Sequence, residues 1–168
     1  MSDAGIDRSP DRTGVLLTAA AALGAVASLA VAGVPSALAL GVVGVVVLLG
    51  AAAVGHRRGL DWGALVAFGG VLLAGIGGAR AGPLLVSMVA TVVAWDAGEQ
   101  AISVGEQLGR AAPTRRATVV HVAASTLVGA GGAAVGYGVY RLAGGGRPAS
   151  ALALLLLGGV LITWALRE

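Results

Sequence analysis

The sequence WDAGEQAISVGEQLGRAAPTRRATVVH, residues 95–121, is a polar island in a chain that consists mostly of Ala, Val, Leu and Gly. The chain has eight acidic residues, eleven arginines and two histidines. The island holds three of the acids, three of the arginines and one of the histidines. They are Asp96, Glu99, Glu106, Arg110, Arg115, Arg116 and His121. We take these seven residues as the candidate functional cluster. The apolar segments on either side of the island determine where these seven residues lie relative to the membrane.

The composition indicates a membrane protein. Hydrophobic residues make up 57% of the 168-residue chain, charged residues 11%, and the mean hydropathy is +0.92. In soluble domains roughly a quarter of residues are charged. The length allows one bundle and no separate soluble domain. We therefore predict an all-α fold, a polytopic integral membrane helical bundle. The lack of cysteine excludes disulfides and cysteine-based metal sites.

Six apolar runs predict six transmembrane helices, because a spanning helix needs about 20 apolar residues. The predicted spans are residues 13–34, 36–54, 62–79, 83–95, 118–140 and 148–166. Pro35, Pro83 and Pro148 each follow a short turn, at the favoured first position of an even-numbered helix. The spans therefore read as three hairpins. Asp61 is a candidate N-cap for the third span.

The first twelve residues mix Asp and Arg and predict a disordered tail ahead of a single membrane domain, residues 13–168. A signal peptide is the alternative, since Ala37-Leu38-Ala39 resembles a cleavage site. The acids of the tail and the long apolar run after it disfavour that alternative.

The arginines predict the orientation. With the N-terminus inside, the inner side carries Arg8, Arg12, Arg57, Arg58, Arg110, Arg115, Arg116 and Arg167, and the outer side carries Arg80, Arg141 and Arg147. By the positive-inside rule both termini are cytoplasmic, in a multi-pass protein of the cell membrane. Because these residues lie in separate loops and form no basic face, we expect no nucleic-acid partner.

The polar island itself predicts an amphipathic helix over about residues 96–112, ending at Pro113. On a helix its polar residues share one arc: Asp96, Glu99, Ser103, Glu106 and Arg110. The preceding span, residues 83–95, gives only about 20 Å of helix, which is short for a hydrocarbon core of about 30 Å. Either span 4 continues through Asp96 and Glu99, or it breaks at Gly98 and the amphipathic helix lies on the membrane surface.

Three functional hypotheses follow for the cluster. Asp96, Glu99 and His121 could form a proton or cation relay, since buried carboxylates in a membrane are usually paired and functional. The same charges could instead clamp the ends of spans 3, 4 and 5. In the third hypothesis the 96–110 face docks a membrane or cytoplasmic protein.

The sequence supports no chemical site beyond these. Asp96, Glu99 and His121 have a spacing too unspecific for a metal site, and no serine lies in a catalytic motif. We assign no catalytic, cofactor-binding or metal-binding residue and expect no enzyme activity and no cofactor. A GxxxG motif at Gly132–Gly136, a pattern found where membrane helices associate, is compatible with a homo-oligomer.

Three short motifs of the island are the basis of a family resemblance: WDAGEQ at 95–100, GEQLGR at 105–110 and TRRAxxxH at 114–121. They resemble an uncharacterised family of small multi-pass membrane proteins in halophilic archaea. That resemblance implies a membrane protein of unknown function, with relatives encoded near MoxR-type ATPases and transglutaminase-like proteins. It favours an accessory role and brings no catalytic residues with it.

The leading hypothesis is a non-enzymatic structural or assembly component in the lipid bilayer that presents the 96–110 face to a partner. The alternative is a small transporter or channel with Asp96 and Glu99 on its pathway.

Overall fold

The computed structural model describes residues 7–110 and 112–142, and this part of the chain is helical. Its helices are α1 (Arg12–Val31), α2 (Pro35–Val54), α3 (Arg57–Ile76), α4 (Ala81–Leu108) and α5 (Arg115–Leu142). All five are long and apolar enough to cross a membrane. The described part of the chain is thus helical, and its five apolar helices fit a membrane protein. The predicted sixth span, with Pro148 and Arg147, lies outside the described residues.

The chain divides into two compact units, Met1–Gly131 and Gly132–Glu168. The boundary falls within α5. In the second unit the described residues are the last turns of α5, where the rings of Tyr137 and Tyr140 stack with their centroids 6.2 Å apart.

Short connections with glycines of positive φ end several of these helices. Gly33 follows α1, Gly55 follows α2 and Gly109 follows α4, with φ of 75°, 77° and 77°. Glycine adopts this left-handed conformation without the steric cost that other residues meet. Pro35 opens α2 as the sequence predicts.

Two predicted helix starts are wrong. The third helix begins at Arg57, one turn before residue 62, so Asp61 lies inside the helix and caps nothing. The Oδ1 atom of Asp61 instead accepts a hydrogen bond of 2.8 Å from Trp95 Nε1. The fourth helix begins at Ala81, which places Pro83 at its third position.

The separate amphipathic helix at 96–112 is also wrong, because α4 is one continuous helix of 28 residues. Gly98 does not break it. Gly98 is buried against Leu60 of α3, and a Cβ atom there would lie 2.7 Å from Leu60 Cδ1. The helix ends at Gly109 and not at Pro113. Its length of about 42 Å exceeds the roughly 30 Å of α1, α2 and α3.

The tightest packing joins helices other than those of the predicted hairpins. The most extensive interface is between α2 and α3, followed by α1 with α4, while α1 with α2 and α3 with α4 pack less extensively. At the α2–α3 interface Gly44 lies against the backbone of Ala67, and Gly63 against the backbone of Leu48. Small residues allow such close approach in membranes, where van der Waals packing drives helix association.

The residues buried between the helices are small or aliphatic: Ala22, Val45, Leu48, Ala52, Leu60, Ala94 and Ile102 form the main cluster. The outer surface is apolar too. Leu16 is 70% exposed and Ile76 is 84% exposed. An apolar exterior over helices of spanning length suits contact with a lipid bilayer.

Residues 7–11 are ordered against the end of α4, so the predicted disordered tail is wrong for this part. The Asp11 amide donates to the Ala101 carbonyl at 2.9 Å, and the Arg110 amide donates to the Asp7 carbonyl at 2.8 Å. Between them, Gly105 lies against the Ser9 carbonyl. The first residues of the tail, 1–6, lie outside the described residues.

Candidate functional site

The polar residues of the island lie at one end of the helices of the first unit. Because successive helices run in opposite directions, the starts of α1, α3 and α5 and the ends of α2 and α4 share one membrane side. We call this side the polar end. Contacts among its residues separate the seven predicted cluster residues into distinct groups.

The first group joins α3 to α4 through Arg57. Its guanidinium donates from Nη1 to the Glu99 carboxylate, and from Nη2 to Glu106 Oε2 at 2.7 Å and to Ser103 Oγ at 3.1 Å. The side chains of Arg57, Glu99 and Glu106 are 40%, 26% and 52% exposed. Two acids of the predicted arc therefore share one cation, and neither is a free carboxylate.

The second group joins α4 to α5 through Asp96. His121 Nε2 lies 2.9 Å from Asp96 Oδ2, and Ser125 Oγ donates to the same oxygen at 2.6 Å. The His121 nitrogen is shielded from solvent, yet its N–H direction does not meet hydrogen-bond geometry, so the contact is an ion pair when the imidazole is protonated. Asp96 and Glu99 thus face different helices.

The Asp96 group lies deeper than the Arg57 group. Asp96 comes five residues before Ala101, which contacts the start of α1, so it is about 7 Å further along α4. Ser125 lies about 15 Å along α5 from Arg115 by the same rise. The Asp96 carboxylate is paired, as ionisable groups within membranes usually are, and Asp61, bonded to Trp95, lies at a similar level.

Asp11 is a buried carboxylate outside the predicted cluster that joins α1 to the start of α5. It is 6% exposed, and its Oδ2 accepts from the Gly14 amide at 2.8 Å and from Thr118 Oγ1 at 3.4 Å. Its Oδ1 accepts from Thr114 Oγ1 at 3.4 Å. One carboxylate therefore caps α1 and holds the start of α5. The signal was present, because Asp immediately before an apolar run is a favoured N-cap.

Arg110 belongs to the N-terminal segment and not to the Asp96 group. Its Nη1 donates to Ser9 Oγ at 2.8 Å. Ser9 in turn donates from its hydroxyl and its amide to Asp7 Oδ1, at 2.6 and 3.0 Å. These two hydrogen bonds stabilise the carboxylate and lower the pKa of Asp7 below its ordinary value.

Arg115 and Arg116 stand apart from the rest of the predicted cluster. Both are exposed, and within residues 7–110 and 112–142 neither forms an ion pair. They border an open groove of about 510 Å³ that Pro113, Val119 and Val120 complete.

The arrangement limits the chemistry that the described residues can perform. Asp96 and His121 form an acid–base pair that can hold a proton. Ser125 donates to Asp96 and not to His121, so these residues do not form the Ser–His contact of a hydrolase triad. Within the part of the chain that the structure describes, His, Asp and Glu side chains form no group of three that could hold a metal ion.

Comparison with known proteins places the chain in a family. No curated protein and no solved structure matches it. One family model matches residues 8–163, nearly the whole chain, and its description is a family of unknown function. The match includes the whole polar island and most of the predicted sixth span. The chain therefore belongs to the family of unknown function DUF7519.

Proposed function

We propose that the chain is a non-enzymatic structural component of a membrane assembly, and that its polar end presents the last turn of α4 to a protein partner. The observation that carries this proposal is the length of α4. It runs for 28 residues, as α5 does, while α1, α2 and α3 have 20 each. Its last two turns therefore extend past the start of α1.

Contacts on two sides hold this projecting end in place. Residues 7–11 lie along one side, with backbone hydrogen bonds to Ala101 and Arg110. Arg57 holds another side through Glu99 and Glu106. A segment supported in this way keeps its outward residues in a fixed arrangement, which lowers the entropic cost of binding.

The outward residues of the projection define the partner's chemistry. Glu106, Gln107 and Leu108 are exposed, Leu108 at 61%. An apolar side chain beside an amide suits a protein surface with a small apolar pocket and a polar rim, since the charge of Glu106 is already paired with Arg57. The predicted 96–110 docking face is thereby narrowed to residues 106–108.

The paired carboxylates support the same function. Asp96 and Glu99 each contact a cationic or titratable partner on a neighbouring helix, so they act as clamps between helices. Their loss should loosen the bundle and alter docking only indirectly.

Site-specific photo-cross-linking tests the docking surface, and the cysteine-free chain gives a clean background. Gln107→Cys carries a photoactivatable maleimide in native membranes, and Leu127→Cys on α5, where the native leucine is 74% exposed, is the matched control. We expect one discrete protein adduct at position 107 and lipid adducts at 127. Identical products at both positions would contradict docking at α4.

We propose further that the polar end faces the cytoplasm. Arg57, Arg58, Arg115 and Arg116 lie there, and Arg80 lies at the opposite end of the bundle. The positive-inside rule supports this orientation. In sealed right-side-out vesicles a membrane-impermeant maleimide should label Gly82→Cys, an exposed position near Arg80 with room for a side chain, and spare Gln107→Cys. The reverse labelling would invert the proposed topology.

The Asp96 group favours a second candidate function, a small proton or cation transporter. Asp96, His121 and Ser125 form a titratable group inside the polar end, the kind of group that marks ion pathways. Reconstituted protein should then show a proton flux that Asp96→Asn abolishes and Glu106→Gln preserves. Absence of flux in the wild-type protein would remove this candidate.

A further inference from the structure

We propose that the groove at the start of α5 binds one anionic phospholipid, with the phosphate on Arg115 and Arg116 and an acyl chain along α5. The inference is independent of the proposed partner at α4, because the two surfaces share no residue. Its starting point is the groove of about 510 Å³ lined by Pro113, Arg115, Arg116, Val119 and Val120.

The positive charge of the groove favours an anionic ligand. The acids that the structure describes near the polar end all have other partners: Glu99 and Glu106 with Arg57, Asp96 with His121, Asp61 with Trp95, Asp7 with Ser9, and Asp11 with backbone and threonine groups. In the described part of the chain Arg115 and Arg116 therefore have no carboxylate partner. Two adjacent guanidinium groups present several donors, and their planar forks match the oxygens of a phosphate.

The apolar walls of the groove favour an anion that carries an apolar tail. Val119 and Val120 are 44% and 60% exposed and lie one turn beyond the arginines, on the membrane side. On a helix Arg116, Val120 and Leu127 fall within one narrow stripe, since they are spaced i, i+4 and i+11. Along this stripe the charged Arg116 is followed by about 16 Å of exposed apolar helix surface.

That order of chemistry matches a phospholipid and not a soluble phosphate. The headgroup of a membrane lipid sits at the interface, and its acyl chain runs inward along the helix. Basic pockets at the membrane interface are known to hold anionic headgroups. A free phosphate would use the arginines alone and leave the apolar stripe without a role.

Lipid retention by the full-length protein tests this site. Purified protein in mild detergent is titrated with phosphatidylglycerol or phosphatidylcholine, and native mass spectrometry counts the bound lipid. We expect saturable binding of one phosphatidylglycerol and little binding of phosphatidylcholine. The double variant Arg115→Gln/Arg116→Gln should bind phosphatidylglycerol on the order of tenfold more weakly.

Matched variants separate this site from general surface charge and from misfolding. Arg58→Gln removes an exposed arginine from the same membrane side and should leave phosphatidylglycerol binding unchanged. Arg115→Lys/Arg116→Lys keeps both charges but loses the planar forks, and we expect an affinity between those of the wild type and the Gln variant.

Several results would overturn the inference. Equal binding of the two lipids by the wild type would show a nonspecific apolar surface. Wild-type affinity in the double Gln variant, or an equal loss in Arg58→Gln, would show that the groove arginines are not the site. Displacement of phosphatidylglycerol by millimolar inorganic phosphate would show a phosphate site with no role for the acyl chain.

Discussion

The α2–α3 interface and the attachment of α5 are held together by different means. At the α2–α3 interface, Gly44 and Gly63 bring two helix backbones into contact with no polar side chain between them. In α5, by contrast, only Thr118 and Val122 are buried. Polar bonds to Asp11 and Asp96 and a small apolar contact with Val93 and Ala97 hold it to the bundle.

The difference shows where this membrane protein is rigid and where it can adjust. Close backbone packing depends on shape, and a single added methyl group disturbs it. Bonds between half-exposed polar side chains depend on protonation and on salt. We therefore expect the α2–α3 interface to set stability and the polar end to respond to its surroundings.

The largest effect should come from adding a Cβ atom at the α2–α3 interface. Gly44→Ala places a methyl group against the backbone nitrogen and Cα of Ala67, which cannot move without shifting α3. We expect the free energy of unfolding in detergent to fall by about 2–3 kcal/mol, the range for overpacked cores. Titration with a denaturing detergent, followed by circular dichroism, measures this change.

Gly50→Ala is the matched control for that substitution. It lies on the same helix, is exposed, and has no atom within 4 Å of its added Cβ. Because alanine favours helix over glycine, Gly50→Ala should be neutral or stabilise by up to about 1 kcal/mol. Equal destabilisation by the two variants would contradict the role assigned to Gly44.

The next largest effect should follow loss of the carboxylate at Asp11. Asp11→Ala removes the N-cap of α1 and both threonine contacts to α5, and we expect a loss of about 1–2 kcal/mol in unfolding free energy. Asp11→Asn keeps one acceptor oxygen and should lose less. Hydrogen exchange should show faster exchange at the Gly14 amide in Asp11→Ala, and unchanged exchange there would refute the cap.

A smaller effect should come from the pair between α4 and α5. Because the side chains of His121 and Asp96 are 39% and 31% exposed, a double-mutant cycle with Asp96→Asn and His121→Gln should give a coupling energy of only about 0.5–1 kcal/mol. The coupling should shrink in 1 M salt, where partly exposed charges are screened. A coupling that is the same at low and high salt would contradict an ion pair between these two side chains.

The smallest effect should come from Arg57. Its side chain is 40% exposed and its partners are partly solvated, so Arg57→Gln should lower the unfolding free energy by less than about 1 kcal/mol. The loss should shrink in 1 M salt, where exposed charges are screened. Arg58→Gln, which removes an exposed neighbouring arginine, should lower the unfolding free energy by less still. A larger loss in Arg58→Gln than in Arg57→Gln would show that Arg57 is not the cation that pairs with Glu99 and Glu106.

The sequence predicted the helices well where the apolar runs were clear. Residues 36–54 were predicted as a span, and α2 covers Pro35–Val54, because Pro35 and Gly55 mark its two ends locally. At Gly98 the same reasoning left two possibilities open, a continuing fourth span or a break followed by a separate amphipathic helix. Tertiary packing places Leu60 against this glycine, and the helix continues.

The candidate site was predicted only in outline. Periodicity placed Glu99, Ser103 and Glu106 on one face, and the structure shows all three bonded to Arg57. Periodicity could not show that Asp96 faces α5 or that Arg110 contacts Ser9, since both depend on which helix lies beside α4. The cap at Asp11 had a local sequence signal, but its bonds to Thr114 and Thr118 did not, because those residues lie far away in the chain.

The sequence by itself therefore determined that this is a helical membrane protein with its charges gathered between apolar spans, because hydropathy and length suffice for that inference. Tertiary structure alone decided that α2 packs most closely on α3, that α4 runs unbroken through the polar island, and which partner each charge has. Those outcomes depend on glycine contacts and side-chain neighbours distant in the chain, which local pattern does not contain.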